Sequence, residues 1–126
     1  MEAQVTVTGL DHLVLNVADV DRSLKFYVGE LGLESTREHE WRAGEVAFPS
    51  VRIDPTTIID LLEAPREAGN VDHICLVVEP TDFNSIADSG RFEVVDGPGP
   101  RFGAQGMGTS IYVRDPDSNV VELRYY

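Results

Sequence analysis

The sequence contains a single cysteine, Cys75, among its 126 residues. One thiol cannot form a disulfide within a chain, so a small scaffold held by disulfides is excluded, and we expect a reducing, cytoplasmic location. The chain also lacks a basic, apolar leader at its start and any apolar run long enough to span a bilayer. With 42% hydrophobic and 25% charged residues, it has the composition of one ordinary globular domain.

Basic residues are scarce as well. Lysine and arginine total 10 against 22 acidic residues, which gives a net charge of −12. Proteins that bind nucleic acid or anionic membranes need clustered lysine and arginine, so neither partner is expected. All the basic residues except Lys25 are arginines, whose planar guanidinium can hold a carboxylate or phosphate with two hydrogen bonds. A small anionic substrate is therefore compatible with this composition.

An internal repeat is the main positive signal. The stretch LDHLVLNV at 10–17 matches VDHICLVV at 71–78, and both predict buried strands. Apolar residues at helical spacing follow each strand, at 18–32 and 80–90. Asp19 or Asp21 would begin the first helix and Gly32 end it, whereas Thr81 and Gly90 would bound the second helix.

Each helix is followed by three short strand candidates, separated by turn residues. These are LESTREHEW, GEVAFPS and TTIIDLLE in the first half, and RFEVVD, GTSIYVRD and NVVELRYY in the second. The sequence therefore predicts the order β-α-β-β-β twice. The glycine-rich stretch DGPGPRFGAQGMG does not have the spacing of a phosphate-binding loop, and we expect it to form a mobile lid or rim.

The repeat places four side chains in equivalent positions. His73 follows His12 by 61 residues, and Glu122 follows Asp60 by 62. Equivalent strands of a duplicated unit meet near its pseudo-twofold axis, so these two imidazoles and two carboxylates predict a site for Fe, Mn, Zn, Ni or Co. Asp11 and Asp72 precede the histidines, and because adjacent strand residues face opposite ways, we interpret them as strand-entry residues.

These stretches resemble the vicinal oxygen chelate superfamily, which includes glyoxalases, bleomycin resistance proteins and extradiol dioxygenases. The resemblance rests on DHLVLNVADVDRSLKFYVGELGL, VDHICLVV and GPGPRFGAQGMGTSIYVRDPDSNVVELRYY. It implies an α+β fold in which two tandem βαβββ modules, about 8–64 and 70–126, form a half-open barrel within one domain, 1–126. It also implies the metal ligands His12, Asp60, His73 and Glu122, although glyoxalase I-like members carry Glu in place of Asp60.

The family resemblance implies three alternative functions. The first is a metal-dependent lyase or isomerase of the glyoxalase I type, whose substrate binds the metal through two adjacent oxygens and in which Glu122 or Asp60 moves a proton. The second is an extradiol ring-cleaving dioxygenase with His12, His73 and Glu122 as ligands and Tyr112 as a catalytic residue. The third is a metal-free drug-binding protein with a groove lined by Trp41, Phe48 and Phe102.

We favour the enzyme, and the lyase or isomerase in particular, because the fourth position is a carboxylate. No basic cluster indicates a glutathione or CoA pocket. Arg22, Arg101 and Arg114 are the only hints of one, each more often a surface residue, and His39 is expected to be solvated. Cys75 shares a face with His73, and we interpret it as a small buried residue. An open barrel leaves strand edges exposed, so a homodimer is expected.

Overall fold

The computed structural model describes residues 2–65, 69–116 and 118–126. Their eight strands form one sheet in the order β2-β3-β4-β1-β5-β8-β7-β6. The strands are β1 (Val7–Val17), β2 (Glu34–Thr36), β3 (Ser50–Asp54), β4 (Thr57–Glu63), β5 (Val71–Val78), β6 (Glu93–Gly103), β7 (Gly106–Arg114) and β8 (Val120–Tyr125). No helix in these residues is long and apolar enough to cross a bilayer.

The topology repeats between the two halves of the sheet. β1 pairs with β4 in parallel, and β5 pairs with β8 in the same way. β1 and β5 are antiparallel neighbours at the centre, so the two halves join along this seam. The predicted fold class is confirmed: it is a mixed α+β fold with tandem βαβββ units and an open sheet. The module boundaries at about 8–64 and 70–126 remain a prediction.

The helices are shorter than their sequence patterns suggest. Helix α1 covers only Val20–Leu24 and continues as a wider π-helical turn over Lys25–Glu30. Asp19 begins it, because its carboxylate accepts a hydrogen bond from the Arg22 backbone N–H at 3.2 Å. Helix α3 covers Phe83–Asp88, and Asp82 caps it in place of the expected Thr81, since a carboxylate can accept from two backbone N–H groups.

Three of the strand and loop predictions were wrong. LESTREHEW is a strand only over Glu34–Thr36 and then forms helix α2, Glu38–Arg42. GEVAFPS lies ahead of β3, which begins at its last residue, Ser50. The glycine-rich stretch expected to be a mobile lid is the paired end of β6 and the start of β7, with register running to Gly103↔Gly106.

Apolar residues pack on one face of the sheet in two clusters. Helix α1 packs Val20 and Leu24 against Val51 and Leu61, and α3 packs against β7 and β8 around Leu123. Strand alternation then directs the neighbours of Leu61 and Leu123 to the opposite, inner face. Those neighbours are Asp60 and Glu122, both buried. The two hydrophobic cores thus leave the inner face of the central strands for polar groups.

Candidate metal centre

A β-bulge precedes each of the two histidines. In the β1–β5 pairing, Leu10 is opposite Leu76 and His12 is opposite Cys75, so Asp11 is an extra residue without a partner. On β5 the same pairing passes from His73 to Val71 and leaves Asp72 as an extra residue. A bulge breaks the strict alternation of faces, so each aspartate can turn toward the histidine that follows it.

Each aspartate is hydrogen-bonded to its histidine. Asp11 Oδ2 lies 2.7 Å from His12 Nδ1, and Asp72 Oδ2 lies 2.7 Å from His73 Nδ1. The expectation that Asp11 and Asp72 are only strand-entry residues is therefore wrong. Because an ionised carboxylate only accepts hydrogen bonds, Nδ1 carries a proton in both rings. A neutral ring then presents a lone pair at Nε2, which is the form that binds a metal.

The four predicted ligand side chains lie together within this one chain. His12 Nε2 and His73 Nε2 lie 3.2 Å and 3.0 Å from the same oxygen, Glu122 Oε1. The two rings face each other edge to face, with centroids 5.5 Å apart. Asp60 Oδ2 is farther out, 3.8 Å from His12 Nε2. The structure thus forms a compact group of two histidines and one carboxylate, with a second carboxylate beside it.

The two carboxylates are held differently. Glu122 uses both oxygens: Oε1 faces the histidines, while Oε2 accepts from Ser110 Oγ at 2.8 Å and from Arg124 at 3.2 Å. Asp60 accepts one hydrogen bond on Oδ1, from Ser50 Oγ, and its other oxygen is the one directed toward His12. Glu122 is therefore fixed from several sides, whereas Asp60 is fixed from one.

Arg124, which the sequence analysis did not identify, links the site to the β6–β7 hairpin. It is fully buried and donates to the backbone oxygens of Phe102, Arg101 and Gly106. A Cβ added at Gly103 or Gly108 would lie 2.4 Å or 2.6 Å from its guanidinium. The glycines that suggested a mobile loop instead make room for this side chain.

Asp11 is held by the same hairpin. Its carboxylate accepts from the Ala104 backbone N–H at 3.0 Å and from the Tyr126 hydroxyl, and Arg124 Nε lies 3.9 Å away. Together with the bond to His12 Nδ1, these contacts leave Asp11 fully buried. The sequence does carry a signal for Arg124 and Tyr126. They follow Glu122 at intervals of two residues, which places all three on the same face of a strand.

Tyr112 and Cys75 lie against the histidines. The Tyr112 ring meets the His73 ring edge to face, with centroids 5.5 Å apart, and burial followed by the charge of Glu122 raises the pKa of its hydroxyl. Cys75 is buried opposite His12, and burial raises the pKa of its thiol to about 12. The Cys75 thiol, Asp11 and His12 form a second, fully buried group of ligand-type atoms beside the first.

The remaining predicted residues lie outside the cluster. Arg101 pairs with Asp96 at 2.8 Å, and Arg114 lies 3.7 Å from Glu93. Arg22 lines a separate cleft at the end of β1. His39 is exposed on α2, and Trp41 packs against the α1 hydrophobic cluster. Of the three aromatics expected to line a groove, Phe48 and Phe102 both lie near the guanidinium of Arg37.

The electrostatics of the cluster fit a divalent cation. Burial alone would lower the pKa of His12, but hydrogen bonds to Asp11, Cys75 and Glu122 raise it to about 12. The pKa of His73 is also raised, because bonds to Glu122 and Asp72 outweigh its burial. Without a cation, carboxylates therefore hold protons on the imidazoles. A divalent ion bound by the two Nε2 atoms and Glu122 would replace those protons and supply the positive charge that they provide.

Asp60 has the opposite shift. Burial raises its pKa, and the charges of His12, His73 and Arg37 and the bond from Ser50 only partly oppose this. The pKa of Glu122 is instead lowered despite its burial, because His12, His73 and Ser110 donate to it. The pKa values of the two carboxylates are thus shifted in opposite directions. Such a pair can have two roles, because one carboxylate can bind a cation while the other transfers a proton.

Comparison with known proteins identifies relatives along almost the whole chain. The model of the Glyoxalase/Bleomycin resistance protein/Dioxygenase superfamily matches residues 9–123. The glyoxalase domain-containing protein RDO1 of Mycosarcoma maydis is 33% identical over 140 residues, covering 99% of this chain and 72% of that protein. A probable lactoylglutathione lyase of Synechocystis is 31% identical over 122 residues, covering 89% of this chain and 91% of that protein.

A solved structure has the same fold. The Mn(II)-bound glyoxalase from Novosphingobium aromaticivorans superposes with a TM-score of 0.68 at 17% identity, over 96% of this chain and 40% of that one. At this identity the likeness concerns the fold alone.

Proposed function

We propose that this chain, which belongs to the glyoxalase/bleomycin resistance protein/dioxygenase superfamily, is a metal-dependent lyase or isomerase acting on a small substrate with two adjacent oxygens. The observation that carries the proposal is the convergence of His12, His73 and Glu122 with a fourth ligand-type group, Asp60, on one face of the central strands. A divalent metal held there would act as a Lewis acid toward the substrate oxygens and make the adjacent C–H more acidic.

The chain's own residues divide into two roles. His12, His73 and Glu122 hold the ion, and Asp11 and Asp72 fix the orientation of the two rings through Nδ1. The proton is moved by a carboxylate, either Asp60 or Glu122. Asp60 is favoured, because Glu122 already uses both oxygens for Ser110, Arg124 and the histidines. Asp60 keeps one oxygen directed toward the centre.

Metal content and metal-dependent melting test the site. We expect stoichiometric Fe, Mn, Zn, Ni or Co in the purified protein, and a higher melting temperature when the ion is returned after chelation. Glu122→Gln and His73→Ala should lose the ion and the activity while keeping the fold. His39→Ala is the matched control, since His39 is exposed on α2 and should change neither. A wild type without metal, whose melting none of the five ions alters, would leave the metal-free drug-binding function.

The ring-cleaving dioxygenase is the second candidate. The contact between Tyr112 and His73 favours it, since a neutral hydroxyl beside a two-histidine, one-carboxylate group suits that chemistry. Incubation in heavy water separates the two reactions. A lyase or isomerase exchanges the proton next to the substrate carbonyl without oxygen, whereas a dioxygenase consumes oxygen with catechols. Tyr112→Phe should abolish only the second reaction.

We also propose that the protein is a cytoplasmic homodimer. The large apolar side chains of Val7, Leu10 and Ile53 are each about half exposed, on β1 and β3. A second copy would cover such residues. Light scattering at micromolar concentration should give the mass of two chains, and the mass of one chain would contradict the dimer.

A further inference from the structure

We propose that Arg37, whose guanidinium lies over the rings of Phe48 and Phe102, forms a subsite for a carboxylate of the substrate, next to the metal centre. This inference rests on the proposed function, since it names the class of substrate that the same site takes. The substrate would carry a carboxylate in addition to the two adjacent oxygens that bind the metal.

The position of the guanidinium is the first argument. Its carbon lies 4.1 Å from the centroid of the Phe102 ring and 5.5 Å from that of Phe48. Arg37 follows Thr36, which pairs with Ser50 across β2 and β3, and Ser50 in turn pairs with Asp60 and donates a hydrogen bond to it. The Arg37 guanidinium therefore lies at the edge of the metal centre, against residues from both halves of the chain.

The unused hydrogen-bonding capacity of Arg37 is the second argument. In the part of the chain that the structure describes, no acceptor lies within hydrogen-bond or ion-pair distance of its guanidinium. Other arginines do have such partners: Arg42 pairs with Asp21 and Glu38, and Arg101 pairs with Asp96. A guanidinium stacked on aromatic rings keeps its N–H edge available, and that edge matches the two oxygens of a carboxylate.

The backbone of Arg37 is the third argument. Its φ of 64° places it in the left-handed region, which a residue other than glycine, asparagine or aspartate seldom adopts. Strained backbone of this kind is concentrated at functional sites, where the surrounding structure enforces it. Here it places a side chain of the first half against Phe102 on β6, in the second half.

Matched ligands can measure the carboxylate preference. Catechol binds metals through two adjacent oxygens, and protocatechuate, homoprotocatechuate and hydrocaffeate add a carboxylate on a linker of zero, one or two methylenes. Each acid is compared with its own methyl ester by anaerobic calorimetry on the Mn(II)-loaded protein. We expect at least one acid to bind tenfold or more tightly than its ester, which corresponds to about 1.4 kcal/mol.

Variants assign that preference to Arg37. Arg37→Asn removes the charge and keeps a residue that tolerates positive φ, so the fold should persist and the acid and its ester should then bind within about twofold. Arg42→Asn, at the end of the helix that Arg37 precedes, is the control and should leave the preference unchanged, because Arg42 is already paired. Phe102→Leu, which removes the nearer ring, should reduce the preference.

Two results would overturn the inference: no acid is preferred over its ester, or the preference survives in Arg37→Asn. If Arg37 served only to offset the charge of Asp60, its loss would change the binding of acids and esters equally. Failure of the metal proposal gives a different result, in which the esters bind with or without Mn(II). The acid–ester ratio still decides the role of Arg37 in that case.

Discussion

His12 and His73 have the same partners by type but lie in different surroundings. Each ring has an aspartate on Nδ1 and Glu122 on Nε2. The side chains of His12 and Asp11 are 3% and 0% exposed, whereas those of His73 and Asp72 are 14% and 48% exposed. The first pair is fixed inside the protein, and the second lines a cleft with Asn119 and Val120.

The two halves of the chain support each other's histidines unequally. The histidine of the first half is anchored by the second half, through Ala104, Tyr126 and Arg124 around Asp11. The histidine of the second half has Asp72, from its own strand, on its outer nitrogen. The His12 side of the centre is therefore held by more contacts, and the His73 side, where Tyr112 lies, is more open to solvent.

Loss of Arg124 should have the largest effect. Arg124→Met leaves Glu122 and Asp11 buried without their cation, and breaking such a pair costs about 3–5 kcal/mol of unfolding free energy. Arg114→Met is the matched control, because its partner Glu93 is largely exposed, and should change stability by less than about 1 kcal/mol. Urea unfolding of both variants in a chelator measures this. Equal effects would show that Arg124 is not an anchor.

The two aspartates give the most direct test of the comparison. Asp11→Asn should lower metal affinity about 10- to 100-fold, as expected for a partner that orients a metal-binding histidine, and should also destabilise the fold. Asp72→Asn should lower the affinity less and leave stability almost unchanged, because Asp72 is half exposed. Competition with a metal-binding dye and thermal melting measure the two properties. Identical losses in the two variants would contradict the asymmetry.

Filling the space that Gly103 leaves for the Arg124 guanidinium should reduce stability by a smaller amount. Gly103→Ala would place a Cβ 2.4 Å from a buried guanidinium that three backbone oxygens hold, and such overpacking costs about 1–3 kcal/mol. Gly9→Ala, on β1, has no atom within 4 Å of the added Cβ and should be close to neutral. A Gly103→Ala variant that melts at the wild-type temperature would show that the hairpin does not hold Arg124 tightly.

Protonation of His12 links the stability of the metal-free protein to pH. In the metal-free protein, the stability contributed by His12 is complete below its unfolded pKa of 6.5 and is lost as pH rises toward its folded pKa of about 12. Metal binding displaces this proton, so affinity should rise with pH over the same range. Calorimetry in buffers of different ionisation enthalpy should detect release of about one to two protons at neutral pH. Binding without proton release would exclude the histidines as ligands.

The sequence predicted that His12, Asp60, His73 and Glu122 lie together, but it did not predict the residues that support them. The repeat aligned His12 with His73 and Asp60 with Glu122, because strand registers are preserved in duplicated units. The roles of Asp11 and Asp72 were missed because a bulge adds one residue that the alternating pattern does not reveal.

Other features depend on contacts between distant segments. Glycine and proline in DGPGPRFGAQGMG are typical of loops, and only the packing of Arg124 explains why a strand needs them there. Arg37 has no periodic signal at all, since its position depends on an unusual backbone angle and on Phe102, far along the chain.

The paired bulges have a consequence for misfolding. In most sheets, slippage of a strand by one residue gives a competing register in which every side chain changes face. At the β1–β5 seam, Asp11 and Asp72 are extra residues without a partner. The apolar residues that flank them lie opposite their partners only in the observed alignment. A slipped seam would expose His12 and bury an unpaired aspartate. The two extra residues therefore fix the register of this strand pair and disfavour misaligned forms while the two halves join.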